Sequence, residues 1–246
     1  MYIMNNYPTF EDIQKRCINN NNSIYEKIGF NEKLRNNDID KHIFEDIINK
    51  LDIRESNNLK ILDLGCGCSN LVYNIIDFCS SNKHEIHLID GKNTLDNIKN
   101  DYCQKHIGFF PDSFKDFISS NKEKFDVIIA YSVIQHIYEN PKANVNIFID
   151  TLLSLLKHEG KLLIGDIPNS SKQNRFINTS NGKKLHKLWN IQPKKHNSLK
   201  EQRIDDAFIL GIINRYRNYN YNTYLLPQPN TLPMNYVRED ILIIKK

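Results

Sequence analysis

Within "KILDLGCGCSN" the chain sets Asp63, Gly65, Gly67 and Ser69 at alternating positions, with Cys66 and Cys68 between them. Three kinds of chemistry use such residues. Glycine lets a ligand approach the backbone closely, so the loop could cradle the phosphates of a dinucleotide. The two cysteines could ligate a metal. An acid beside glycines could also meet a cofactor that carries no phosphate. The dinucleotide loop, G-x-G-x-x-G, needs a third glycine where Asn70 stands, and Asp63 would repel a diphosphate. Cys66 and Cys68 have no CxxC partner or histidine cluster to complete four zinc ligands, so no metal is expected. The loop suits a phosphate-free cofactor.

The flanking pattern supplies elements to position it. "KILDLG" reads as a short buried strand, and "SNLVYNIIDFCSS" follows with helical apolar spacing and Ser69 or Asn70 as N-cap. "EIHLID" (Glu85–Asp90) is a second strand and "TLDNIKNDY" a helix. "KHIGF" is a short third strand, and "PDSFKDFISSN" a turn and helix. "FDVIIAY" is the strongest buried strand, with Asp126 as a hydrogen-bond partner at its start. "NVNIFIDTLLSLLKHEG" is an amphipathic helix expected to stop at Gly160, and "KLLIGDIPN" a fifth strand. This β–α alternation predicts an α/β fold: a doubly wound, mostly parallel sheet of seven strands. "YNTYLLPQ" and "EDILIIKK", without a helix between them, predict an antiparallel last strand. Ahead of the sheet, "DKHIFEDIINKLDI" reads as a helix, giving a helical cap over 1–59 and a main domain over 60–246. A basic insertion at 170–203 interrupts that domain.

Composition narrows the partners. The chain has 246 residues, 40% hydrophobic and 25% charged, with a formal net charge of +4. That permits an anionic substrate without arguing for nucleic acid. No apolar run reaches the roughly 18 residues needed to span a bilayer, so no membrane is expected. Five scattered cysteines without framework spacing predict free thiols and a cytoplasmic protein. A monomer or homodimer is expected.

Four strand-end signals in order, D-x-G-x-G, the acid closing strand two, "PDSF" after strand three and "FDVIIAYSVIQHI" at strand four, resemble the class I S-adenosylmethionine-dependent methyltransferases. The resemblance covers about Lys60 to Ile167. It implies S-adenosylmethionine as cofactor, with S-adenosylhomocysteine as product. The methionine part would meet Asp63, Gly65, Cys66 and Gly67, with Ser69 where a third glycine is common. Asp90, followed by Gly91, would accept from the ribose hydroxyls. Asp112 and Ser113 would meet the adenine, and Tyr131 would line the pocket around the sulfonium.

The acceptor side is read from single residues. A hydroxyl acceptor benefits from a general base, and imidazole suits neutral pH. His136, on the turn after strand four, is the first candidate, and Asp166, ending strand five, is the second. Ser170–Arg203 holds nine Lys or Arg and one Glu. There Lys172 and Arg175 lie closest to the strand end as clamps for phosphate or carboxylate. Arg238 could reach the same pocket from the last loop, and Tyr25 and Arg35 from an N-terminal cover. "AYSV" replaces the N/D-P-P-Y/F motif of base-directed methyltransferases, which favours a small-molecule acceptor. "GDIPN…SK…RF" and "LLPQPNTLP…REDILI" are similar to methyltransferases encoded with bacterial capsule or lipopolysaccharide genes. That implies a phosphorylated or nucleotide-linked sugar or polyol, or a phosphoramidate, methylated at oxygen. The alternatives are an RNA methyltransferase using the basic segment and a non-catalytic cofactor-binding subunit.

Overall fold

The computed structural model describes residues 9–32, 35–188 and 204–246. Three helices come first: α1 (Phe10–Ile18), α2 (Ile24–Lys27) and α3 (Asn37–Leu51). The α/β alternation follows: β1 (Lys60–Leu64), α4 (Asn70–Ser81), β2 (Glu85–Asp90), α5 (Lys92–Leu95), β3 (Gln104–Ile107), α6 (Lys115–Ser120) and β4 (Phe125–Tyr131). Next are α7 (Ile134–Glu139), α8 (Val145–Leu155), β5 (Leu156–Pro168), α9 (Ser170–Ile177), α10 (Ser180–Leu188), α11 (Asp206–Asn218), β6 (Asn222–Pro227) and β7 (Arg238–Ile244).

The sheet runs β3-β2-β1-β4-β5-β7-β6. Strand β7 is antiparallel to both of its neighbours, and the remaining ladders are parallel. The expected fold class is therefore present. Order reverses between β1 and β4, which opens a crevice beyond their carboxyl ends, the usual ligand position in such sheets. Two apolar clusters cover the faces. One joins β4 and β5 to α8 and α11 through Phe125, Phe148, Leu152, Ile164 and Tyr216. The other joins β1 and β2 to α3 and α4 through Ile47, Leu51, Ile61, Val72 and Leu88. Ser69 caps α4, its side chain accepting from Leu71 N. Asp126 accepts from Lys60 N at 2.7 Å, tying β4 to β1 as its place at the strand start suggested.

One boundary differs from expectation. Helix α8 ends at Leu155 rather than at Gly160, because Leu156 already pairs with Phe125 in the sheet. Gly160 lies inside β5, where an added Cβ would meet Lys157 O at 2.9 Å and Phe125 O at 3.1 Å. That glycine relieves backbone crowding at a bulge and ends no helix.

Candidate active site

The glycine loop turns from β1 into α4 with Gly65 and Gly67 at φ of 69° and 64°, conformations that penalise any side chain. Neighbours reinforce the need. A Cβ on Gly65 would lie 2.5 Å from Val133 Cγ2, and one on Gly67 would lie 3.1 Å from Ile28 Cγ2. Cys66 is buried, and burial pushes its thiol well up, so it contributes backbone rather than sulfur chemistry.

Two carboxylates face this loop. Asp90 accepts from Gly67 N at 3.0 Å and from Gly91 N at 2.7 Å, which fixes the loop against the end of β2. Burial raises its pKa, opposed by those two backbone donors. Asp63 is 3% exposed. Burial, then the Asp90 charge, push its pKa up to about 7. No cation among the described residues pairs with Asp63, so a positive group placed beside it would favour its charged form. The ammonium of a methionine-like moiety has that character, and the glycines leave room for it. Here the residues fit the cofactor implied by the sequence.

The turn after β3 is bound to the same strand end, Gly108 N donating to Asp90 O at 3.1 Å. Asp112 and Ser113 lie on that turn and are exposed, the Ser113 hydroxyl accepting from Phe109 N at 3.2 Å. Gln14 of α1, which the sequence did not single out, lies directly over Gly91. Its amide accepts from Asn93 N at 2.9 Å and donates to Thr94 Oγ1 at 2.8 Å. Phe10 packs edge-on to Phe109, so α1 bridges the ends of β2 and β3.

On the other side of the loop a partly open pocket is lined by Phe30, Arg35, Ile39, Ile43, Tyr131, Asp166, Gln228, Leu232, Pro233 and Met234. Two residues at the strand ends here, of which Asp166 lines the pocket, are strained. Ser132 and Asp166, just past β4 and near the end of β5, adopt φ of 59° and 57°. Non-glycine residues hold such conformations only when their surroundings over-determine them. Here Ser132 Oγ donates to Asp166 Oδ2 at 2.6 Å, and Asp166 N donates to Asp240 Oδ1 at 2.8 Å. Asp240 is buried on β7 and is held by Lys50 of α3 at 2.6 Å. Lys50 is also 2.6 Å from Asp46. Gln228 donates to Asp240 at 3.1 Å and to the Tyr131 hydroxyl at 3.3 Å. Burial, then the Asp166 and Asp240 charges, drive the Tyr131 phenol well up, so it stays neutral. Its ring fits because Gly165 lacks a side chain: a Cβ there would lie 2.3 Å from Tyr131 Cδ2.

The structure thus brings together Arg35, Tyr131 and Asp166. Arg238 supports Asp166 from behind, with Nε 3.6 Å from Oδ1. Tyr25 covers the start of α4, its hydroxyl accepting from Asn70 Nδ2 at 3.0 Å. His136 is half-buried on α7, outside the set that lines the pocket. Lys172 and Arg175 do not point to it either. Lys172 donates to Arg238 O at 2.7 Å and pairs with Glu239, and Arg175 pairs with Asp206, so both brace α9 against β7 and α11. Residues 189–203 of the basic segment lie outside the described residues.

A doubly wound sheet with an acid-lined glycine loop at its switch point, next to a pocket holding an oriented carboxylate, defines a phosphate-free cofactor enzyme. The family model described as "Methyltransferase domain" matches residues 55–205, more than half of the chain. The chain belongs to that family, and its cofactor is S-adenosylmethionine. No curated protein matches it in sequence. Among solved structures it is similar to the plantazolicin methyltransferase BpumL in complex with SAH. Identity there is 13%, 96% of this chain and 95% of that one are covered, and the TM-score is 0.59. It is also similar to the DszA carbon methyltransferase, at 15% identity with 87% of this chain and 56% of that one covered, TM-score 0.55. At these identities the likeness is one of fold.

Proposed function

We propose that this enzyme methylates a hydroxyl of a small acceptor seated in the pocket of Arg35, Tyr131 and Asp166. The observation that carries the proposal is Asp166 itself, an acid in a costly backbone conformation, anchored from three sides and lining the pocket. When bound, S-adenosylmethionine supplies a methyl group already activated on a sulfonium. Asp63 would hold the ammonium of its methionine part, Gly65, Cys66 and Gly67 would line its path, and Asp90 with Gly91 would take the ribose. Asp112 and Ser113 sit on the turn that would flank the adenine. The remaining work is to orient the acceptor and take its proton. Asp166 is the base in this reading, ahead of His136, and the neutral Tyr131 phenol orients the acceptor.

In this reading the N-terminal region, 1–59, is the cap, with Phe30, Arg35, Ile39 and Ile43 in the pocket wall, 60–246 is the catalytic domain, and 170–203 is its insertion. The ion pairs of Lys172 and Arg175 give no support to an RNA-binding role for that insertion. The capsule- or lipopolysaccharide-type acceptor read from the sequence strings also lacks support, because the pocket walls are mostly apolar.

Asp166→Asn is expected to lower methyl transfer by roughly 10²- to 10⁴-fold, the usual share of general base catalysis, while His136→Ala stays within about threefold of wild type. S-adenosylhomocysteine affinity should be unchanged in both. The opposite ranking would move the base to His136, and full activity of both variants would leave positioning alone to drive the transfer.

A further inference from the structure

We infer that the acceptor is a carboxylate-bearing molecule with an apolar body, its carboxylate gripped by the two terminal amino groups of Arg35; this rests on the methyltransferase reading of the same pocket. Arg35 is fixed before any ligand arrives. Its Nε donates to Asp40 Oδ1 at 2.7 Å, and its side chain is 7% exposed. Asp40 is fully buried and its other oxygen accepts from Leu71 N at 2.9 Å, so the pair is tied to the first turn of α4. The Phe30 ring lies 5.0 Å from the guanidinium carbon. Among the described residues Nη1 and Nη2 make no hydrogen bond, and Arg35 lines the pocket. A planar, immobile fork with two unused donors matches a carboxylate bidentately.

The surroundings decide the rest of the ligand. Among the described residues Arg35 is the only cation lining the pocket, and Asp40 already offsets its charge. A phosphate dianion would need more positive charge than this. Phe30, Ile39, Ile43, Leu232, Pro233 and Met234 form the walls. Sugar hydroxyls buried against them would lose water without gaining partners, whereas an aliphatic or aromatic body gains by burial. Asp166 and Tyr131 remain for the group that is methylated. Together these features describe a hydroxy acid with an apolar side chain.

The test uses the full chain saturated with S-adenosylhomocysteine and follows binding of phenyllactate and hydroxyoctanoate, their primary amides, and glycerol phosphate by ligand-observed NMR. Each acid should bind at least about tenfold more tightly than its amide, the loss expected for one charge-assisted hydrogen bond, and more tightly than glycerol phosphate. Arg35→Lys, which keeps the charge but loses the fork, should erase the preference over the amide. Met234→Trp should block both acids, with S-adenosylhomocysteine affinity retained in each variant as proof of an intact fold. Amides binding as well as acids, glycerol phosphate binding best, neither acid binding, or an unchanged preference in Arg35→Lys would each overturn the inference. If the Arg35-dependent preference appears but S-adenosylhomocysteine does not bind, the methyltransferase reading fails and the carboxylate pocket stands.

Discussion

The glycine loop is made by neighbours in the chain, Asp63 to Ser69, and completed by one strand end at Asp90. The pocket beside it draws Arg35, Tyr131, Asp166, Gln228 and Met234 from stretches almost two hundred residues apart. Their electrostatics differ in the same way. Around the loop the acids Asp63 and Asp90 stand without a cationic partner among the described residues, and in the proposed reading Asp63 meets the ligand's ammonium and Asp90 its ribose hydroxyls. Around the pocket the charges are internally matched: Arg35 with Asp40, Lys50 with Asp46 and Asp240, Arg238 with Asp166. In the proposed reading one half is completed by the cofactor, and the other is paired beforehand. A site that binds a fixed cofactor can leave part of its electrostatic balance to that molecule. A site that must orient an acceptor gains from being preorganised.

That contrast can be broken from the pocket side first. Lys50→Met would leave Asp46 and Asp240 buried without their cation, a change that costs about 3–5 kcal/mol. Urea unfolding should show this as a large drop in midpoint; a variant within 1 kcal/mol of wild type, the scale of a surface pair, would mean that the network carries no structural load. A milder disturbance is Gly165→Ala, whose Cβ would press on the Tyr131 ring. Overpacking of this kind costs roughly 1–3 kcal/mol. Acceptor methylation should suffer while S-adenosylhomocysteine affinity holds, and equal losses of both would show that pocket and loop are not separable.

The loop side is sharpened by pH. Asp63 has its folded pKa raised from the usual carboxylate range to about 7. The folded protein therefore holds this proton where the unfolded chain has released it, so the contribution to stability falls as pH rises from about 4 to about 7. A bound ammonium reverses the preference and favours the carboxylate. S-adenosylhomocysteine affinity should then weaken by up to about tenfold per unit as pH drops below 7, and Asp63→Asn should remove that dependence. A flat profile in the wild type would separate Asp63 from the ligand's amino group.

The same contrast explains what the sequence made legible. Asp63, Gly65, Gly67, Asp90 and the strand–helix alternation follow from local patterns: strand, tight turn, helix, each within about ten residues. Asp166 could be singled out because it lies near the end of a strand that the spacing marks, and it lines the pocket. His136 looked equivalent, but a short helix turns it out of the lining set, and no periodicity signals that rotation. Gly160 was misread because "LLSLLKHEG" continues its helical spacing past the point where Leu156 joins the sheet. Lys172 and Arg175 looked like clamps because their partners Glu239 and Asp206 lie far along the chain. Gln14, Lys50, Gln228 and Asp240 gave no local signal at all, since their roles exist only once distant segments meet.

Calorimetry of S-adenosylhomocysteine and NAD with the wild-type chain and Asp90→Ala tests the cofactor assignment on which the rest stands. S-adenosylhomocysteine should bind the wild type, NAD should not, and Asp90→Ala should weaken binding by at least about tenfold, since hydrogen bonds to a charged group are each worth roughly 1.5–3 kcal/mol. Unchanged affinity in Asp90→Ala, or binding of NAD in place of S-adenosylhomocysteine, would contradict it.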